Sequence, residues 1–208
     1  MREAIIEGKL EVGVPLAEMA LAKKLNMSRT PIREAITILE KEGFLQIVPG
    51  KGAFVSQVSL EDVKEINELR KALEPLAAES AIDLIPDEKI SEAKEKWLRV
   101  QEALSKGEII AYEEVTKLDG ELHNLLIENC TNTRLQEILL RLNFQIRRYQ
   151  LLSWKSQTYP EDTIEQHLEI LSLLQKRNLE QLKSAIQQHI EFNKHYILAN
   201  FFQSPIMR

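Results

Sequence analysis

Two helix-forming stretches between Leu16 and Leu39 are separated by only three residues, Asn26-Met27-Ser28. That spacing constrains the fold more than any other feature of the chain. Helix, three-residue turn, helix is the helix-turn-helix arrangement, and small Ala22 stands where the two helices must approach closely. The second helix opens with Ser28-Arg29-Thr30-Pro31-Ile32-Arg33-Glu34-Ala35. Ser28 is predicted to cap it, and Pro31 lies in the opening turn, where an amide N–H is dispensable. Arg29 and Arg33 are four apart and share one face, while Ile32, Ala35, Ile36 and Leu39 recur on another. One side is predicted to be buried and the other cationic, the layout of a helix that enters a DNA groove. Asn26 takes the turn position where a left-handed backbone is wanted, which Asn tolerates second best to Gly.

The flanking segments extend this pattern. Arg2 to Gly8 reads as a short first helix with little before it, which implies a few residues missing ahead of Met1. Glu11 to Pro15 reads as a connector broken by Gly13 and Pro15, and a second helix from about Leu16 to Leu25 turns Leu21, Ala22 and Leu25 inward and Lys23 and Lys24 outward. Beyond Gly43, a natural helix stop, Phe44–Val48 and Ala53–Val55 read as two strands joined by Pro49-Gly50-Lys51-Gly52. A hairpin behind a helix-turn-helix is a wing whose tip offers Lys51 and glycine backbone to a phosphate or minor groove. The alternative is a three-helix domain with a decorative hairpin.

A net charge of −5 over 208 residues argues against nucleic acid only if it is evenly spread. Residues 1–59 hold 8 Lys/Arg and 7 Asp/Glu, leaving 19 basic and 25 acidic residues for 60–208. From Lys23 to Arg33 the chain carries Lys23, Lys24, Arg29 and Arg33 and no acid, a local basic face on an acidic protein. Hydrophobic content of 44% with 28% charged residues excludes a disordered chain. No apolar run reaches the ~18–20 residues needed to cross a bilayer. The single Cys130 and the absence of a signal peptide point to a reducing, cytoplasmic setting.

Ser56 to Val58 reads as a linker, and Ser59-Leu60-Glu61-Asp62 opens a second domain with a Ser cap and acids in the first turn. Helices are predicted at about 60–84, 87–106, 108–129, 132–154, 161–176 and 179–201, with Pro86, Gly107, Asn132, Pro160 and Asn178 near the joints. Val63, Ile66, Leu69, Leu73 and Leu76 make a packing stripe on the first. The chain is therefore predicted to be mainly α: a winged helix-turn-helix over 1–58 and, over 59–208, an antiparallel all-α bundle of about six helices.

Asp119 and His123 are i and i+4, so their side chains meet on one helix face. His167 and His189 fall at apolar helical offsets that aim them inward. One carboxylate and three imidazoles on three helices are a donor set for a divalent transition metal. Spacing alone leaves open both this reading and that of core histidines with hydrogen-bonded partners. Arg70 either lines the same cavity or pairs with Glu74 at i+4. Arg147, Arg148 and Tyr149 either line it or lie on a solvated helix face, the reading the two arginines favour. His195, Trp97 and Trp154 read as structural, and Cys130 has no activating partner. No glycine-rich phosphate loop or nucleophile elbow is present.

The run Leu21-Ala22-Lys23-Lys24-Leu25-Asn26-Met27-Ser28-Arg29-Thr30-Pro31-Ile32-Arg33-Glu34-Ala35 resembles the signature of GntR-family transcription regulators, and Pro49 to Val55 fits the same pattern. Glu68-Leu69-Arg70 with Leu73-Glu74, then Asp119, His123, His167 and His189, is similar to the ligand-binding FCD-type domain of the FadR-like subfamily. The resemblance implies a repressor or activator whose helical domain binds a small effector. It implies DNA contacts through Arg29 and Arg33, helped by Ser28, Thr30 and Gly50. It also implies a Zn, Ni or Mn site at Asp119, His123, His167 and His189 that holds a carboxylate effector, with Arg70 and Arg148 as further candidates for contacting it. Asn26 replaces the usual Gly of the turn. Ala20 and Met19 depart from acidic and basic positions of many members, so the operator sequence does not follow.

The expected mechanism is that of a homodimer whose two recognition helices meet half-sites of a palindromic operator. Lys23, Lys24 and Lys51 are expected to add phosphate contacts, and an organic acid on the metal to bias the dimer. The competing readings are a metal-dependent hydrolase, which lacks an evident general base, and a regulator that senses the metal itself.

Overall fold

The computed structural model describes residues 1–153 and 161–201. Trp154 and Pro160, read above as a packing residue and a joint, lie outside them. The chain divides into two compact units, one over Met1–Ser59 and a second beginning at Leu60.

The first unit runs α1 (Arg2–Ile6), β1 (Pro15–Leu16), α2 (Glu18–Leu25), α3 (Arg29–Lys41), β2 (Leu45–Val48) and β3 (Gly52–Val55). Ile32, Ile36 and Leu39 bury the apolar face of α3, and Ile5, Ile6, Phe44 and Leu45 complete the small core. Arg2 forks onto the Glu42 carboxylate at 2.7–3.0 Å, tying α1 to the end of α3. Asn26 ends α2 with φ 52° and ψ 46°. Met27 N–H then donates to Ala22 O and Asn26 N–H to Lys23 O, the paired bonds of a left-handed helix stop.

Three expectations change here. The connector before α2 holds a strand: β1 pairs antiparallel with β3, giving the order β1-β3-β2. Pro15 is compatible with it because β1 is an edge strand, where a missing N–H costs no ladder bond. Ser28 takes the N-cap backbone position of α3, but its side chain makes no cap hydrogen bond. Leu25 is exposed, and the inward apolar residue is Leu16, from β1.

The second unit holds α4 (Leu60–Ala81), α5 (Asp87–Ser105), α6 (Tyr112–Glu128), α7 (Thr133–Ser153), α8 (Glu161–Gln175) and α9 (Leu179–Phe201). Its core joins Ile90 and Trp97 of α5, Leu122 and Leu126 of α6, Ile170, Leu171 and Leu174 of α8, and Leu182, Ile186 and Ile190 of α9. Each such side chain stabilises by about 1.5–3 kcal/mol on burial. α6 begins four residues later than predicted. Gly107, at φ +76°, closes α5 through Glu108 N–H to Ala103 O and Gly107 N–H to Leu104 O, so 108–111 run as a connector.

The α4 stripe also differs. Val63 is buried and Ile66 and Leu73 half-buried, but Leu69 and Leu76 face outward, and the buried face carries Asn67, Arg70 and Glu74. Arg147 is half-buried and Arg148 and Tyr149 are buried, so this is not a solvated face. No helix among the described residues is long and apolar enough to cross a membrane.

Candidate functional site: nucleic-acid interface and metal centre

In the first unit, packing Ile32, Ile36 and Leu39 inward leaves Ser28, Arg29, Thr30 and Arg33 on the opposite, exposed side of α3. Lys23 and Lys24 are exposed at the end of α2. Glu18, in the first turn of α2, reaches both arginines: Arg33 Nε donates to its two carboxylate oxygens at 3.0 and 3.2 Å, and Arg29 Nη2 at 3.4 Å. These are exposed ion pairs, worth less than about 1 kcal/mol each, so they orient more than they stabilise. At the hairpin, Gly50 and Gly52 hold φ +75° and +100°, conformations that disfavour a side chain, with exposed Lys51 between them.

In the second unit, α6 supplies Asp119 and His123, α8 supplies His167 and α9 supplies His189, all buried. The three Nε2 atoms converge on one oxygen, Asp119 Oδ1, at 2.8 Å from His167, 3.4 Å from His189 and 3.9 Å from His123. One donor atom from each of the four residues lies within 4.8 Å of the others.

Surrounding helices fix the ring orientations. His123 Nδ1 donates to Glu74 Oε2 at 2.6 Å, and Glu74 Oε1 accepts from Arg70 Nε at 2.6 Å. His189 Nδ1 donates to Gln166 Oε1 at 3.0 Å, and its Nε2 accepts from Asn193 Nδ2 at 2.9 Å. Gln150 Nε2 donates to Asp119 Oδ2 at 3.0 Å, and Trp97 stacks on His167 with centroids 3.9 Å apart. With Nδ1 protonated in His123 and His189, both Nε2 atoms carry a lone pair: that of His123 is open toward the centre, and that of His189 is taken by Asn193. His123 Nε2 has no hydrogen-bond partner among the described residues, an orphaned buried acceptor of the kind that a metal ion satisfies.

The electrostatics favour the same protonation states. Burial holds His167 below its ordinary value against the pull of Asp119, and burial together with His167 takes His189 down to about 3. Burial alone would raise Asp119, but its contacts with the histidines hold it well below the usual carboxylate range. Burial would likewise raise Glu74, yet Arg70 and His123 bring it down to about 2. The centre thus presents neutral imidazole donors and one ionised carboxylate, which suit a borderline divalent ion.

The two arginine candidates part company. Arg70 adjoins the centre through Glu74, and its Nη1 and Nη2 are buried without a hydrogen-bond partner among the described residues. Arg148 is buried beside Tyr149: burial lowers it while Tyr149 and Asp62, at the start of α4, oppose the shift. Exposed His195 bonds Glu191 O and takes no part. Sequence reasoning missed Gln150, Gln166 and Asn193 and assigned Glu74 only to Arg70. The spacing of Asn67, Arg70 and Glu74 at 3 and 4 was the one available signal, a polar stripe inside an apolar helix.

The family model "Bacterial regulatory proteins, gntR family" matches residues 1–55, and the model "FCD domain" matches residues 65–192. The chain is 33% identical to the Nta operon transcriptional regulator of Aminobacter aminovorans, over 88% of this chain and 83% of that protein. It is 27% identical to the HTH-type transcriptional repressor RspR of Escherichia coli, over 92% of this chain and 82% of that protein. Among solved structures it is similar in fold to E. coli McbR/YncC, with a TM-score of 0.78 and 22% identity over 94% of this chain and 92% of that one.

Proposed function

We propose, from the premise that this chain belongs to the gntR family of bacterial regulatory proteins and carries an FCD domain, that a small organic acid held at the Asp119 centre sets its affinity for an operator. It is a DNA-binding transcriptional regulator, and its relatives are named as regulators rather than enzymes. The observation that carries the proposal is the convergence of three Nε2 atoms on Asp119 Oδ1, with that of His123 orphaned. Asp119, His123, His167 and His189 would hold the ion, Zn, Ni or Mn. Such an ion supplies a Lewis-acidic anchor for a carboxylate. Glu74 and Gln166 keep the His123 and His189 rings turned inward, and Arg70 offers buried N–H groups, unpartnered among the described residues, to an anion.

At the output end, Arg29 and Arg33 would contact base edges and phosphates, with Ser28, Thr30 and Gly50 adding contacts and Lys23, Lys24 and Lys51 binding phosphates. A bidentate arginine–guanine contact would contribute about 1–3 kcal/mol of discrimination. The free Ser28 hydroxyl supports this role, since capping does not occupy it. The protein would act as a homodimer on a palindromic operator. The acid regulates only through unequal affinity for the DNA-competent and incompetent states.

The test uses the full chain, an operator selected from a randomised duplex library, and elemental analysis before and after chelation. The loaded protein should shift operator affinity by at least about fivefold with one of a panel of small carboxylates, and the stripped protein should not. A His167→Ala/His189→Ala variant retaining full metal would remove the site. A response to metal with no response to any carboxylate would make the ion itself the signal.

A further inference from the structure

Beside the four donors of the centre lies a layer of buried polar side chains. Asn67 of α4, Thr116 of α6, Thr163 of α8 and Asn193 of α9 are all buried. Each stands three or four residues from Arg70, Asp119, His167 and His189 respectively, and so shares a helix face with it.

The helix directions put all four on one side of the centre. Lys71 on Glu191 and Lys183 on Glu79 run α4 and α9 antiparallel. The short connection from Gln175 to Leu179 does the same for α8 and α9. The turn before Arg70 and the turn before His167 are therefore level with the turn after His189. Glu74 on His123 and Ser80 on Cys130 run α6 parallel to α4, so Thr116 falls at that level too.

The layer is short of donors. Asn67 Nδ2 donates to Val63 O at 2.7 Å and Asn193 Nδ2 to His189 Nε2 at 2.9 Å, so in both amides the oxygen is the free end. Neither Oδ1, nor the hydroxyl of Thr116 or Thr163, has a hydrogen-bond partner among the described residues. Arg70 adds Nη1 and Nη2, equally unpartnered there. A carboxylate brings acceptors only. It suits Arg70, and both threonines can donate to it, but it leaves the two asparagine oxygens buried and unpaired, at a cost larger than one hydrogen bond gains. A ligand that fits must also bring a donor. An ammonium would bury a second cation beside Arg70, which is strongly unfavourable. A hydroxyl donates without adding charge.

We propose that the acid held at the Asp119 centre is a hydroxy acid, and that Asn67 Oδ1 and Asn193 Oδ1 accept its hydroxyl protons. This rests on the organic-acid reading above and narrows it to a chemical class. Asn67 and Asn193 are then the residues that set specificity, because an acid lacking the hydroxyl strands a buried acceptor, whereas a change of one methylene alters only packing.

Calorimetric titration of the zinc-loaded full chain with matched acids is the test: propionate and lactate, succinate and malate, adipate and galactarate. The hydroxylated member of at least one pair should bind roughly tenfold or more tightly than its plain counterpart. Asn67→Leu and Asn193→Leu keep the side-chain size and remove the acceptor. Each should cut that ratio by about fivefold or more, whatever happens to either absolute affinity. A merely structural defect weakens both members of a pair alike and leaves the ratio in place. A ratio undiminished in either variant would overturn the pairing with that asparagine. Equal affinity within every pair, or tighter binding of the plain acids, would overturn the hydroxy-acid class while leaving the organic-acid reading intact. Failure of all six acids to bind would overturn both.

Discussion

Glu18 accepts the Nε–H of Arg33 at 3.0 Å, leaving both terminal nitrogens of that guanidinium without a protein partner among the described residues. A carboxylate from α2 thus holds Arg33 of α3 by its inner edge and turns its fork outward. Glu18→Gln should loosen this orientation and remove one negative charge from the side proposed to face DNA. Non-specific affinity should rise slightly while the ratio of operator to scrambled-duplex affinity falls by about tenfold, within the range of one bidentate base contact. Fluorescence anisotropy on both duplexes reads the ratio directly. An unchanged ratio would make the ion pair incidental.

Arg33 itself is expected to matter for specificity and not for folding, because its side chain is 63% exposed. Arg33→Ala should abolish selective operator binding, leave the thermal transition within about 0.5 kcal/mol of the parent, and leave metal content unchanged. Operator binding at parental strength would show that another face reads the DNA.

The first unit was legible because each of its signals is local. Asn26 is left-handed, Gly43 stops a helix, and the α3 apolar residues are buried at their helical spacing. The Asp119–His123 pair was local too, but meeting His167 and His189 depends on how α6, α8 and α9 pack, which spacing only permits. Periodicity finds a stripe on α4 without saying which way it faces, so Leu69 and Leu76 were assigned to packing while Asn67, Arg70 and Glu74 took the inside. A two-residue strand such as Pro15–Leu16 has no period at all. Gln150, Gln166 and Asn193 carry no distinguishing pattern, since an amide becomes a site residue only through its neighbours.

Glu74 should control the centre from one shell out. It fixes His123 through Nδ1 and simultaneously neutralises Arg70, so Glu74→Gln weakens the acceptor without removing any of the four donor residues. Affinity for the metal should drop by about 10–100-fold, as is usual for the partner of a metal-binding histidine. Competition against a chelating dye measures this. Stability of the metal-free protein should fall as well, because Arg70 would be left as a poorly compensated buried cation. Retained metal affinity in a folded variant would mean that His123 needs no partner to present Nε2.

The metal-free protein should be acid-labile, starting well above the carboxylate range. His189 titrates at about 3 in the fold and near 6.5 when unfolded, so between those values the unfolded chain holds the extra proton. Stability therefore rises with pH across that window, is fully present above about 6.5, and is lost as pH falls toward 3. His167 is shifted in the same direction, and Glu74, lowered from 4.5 to about 2, adds a second loss in the acidic part of the range. Each group contributes a slope of at most about 1.4 kcal/mol per pH unit. Urea unfolding of the chelated protein at pH 7.5, 6.5, 5.5 and 4.5 should show a falling midpoint with little change in slope. His189→Gln keeps a neutral side chain on α9 and should flatten the decline between about pH 6.5 and 5, even if it lowers stability overall. A pH profile identical to the parent's would show that His189 is not held neutral by its surroundings.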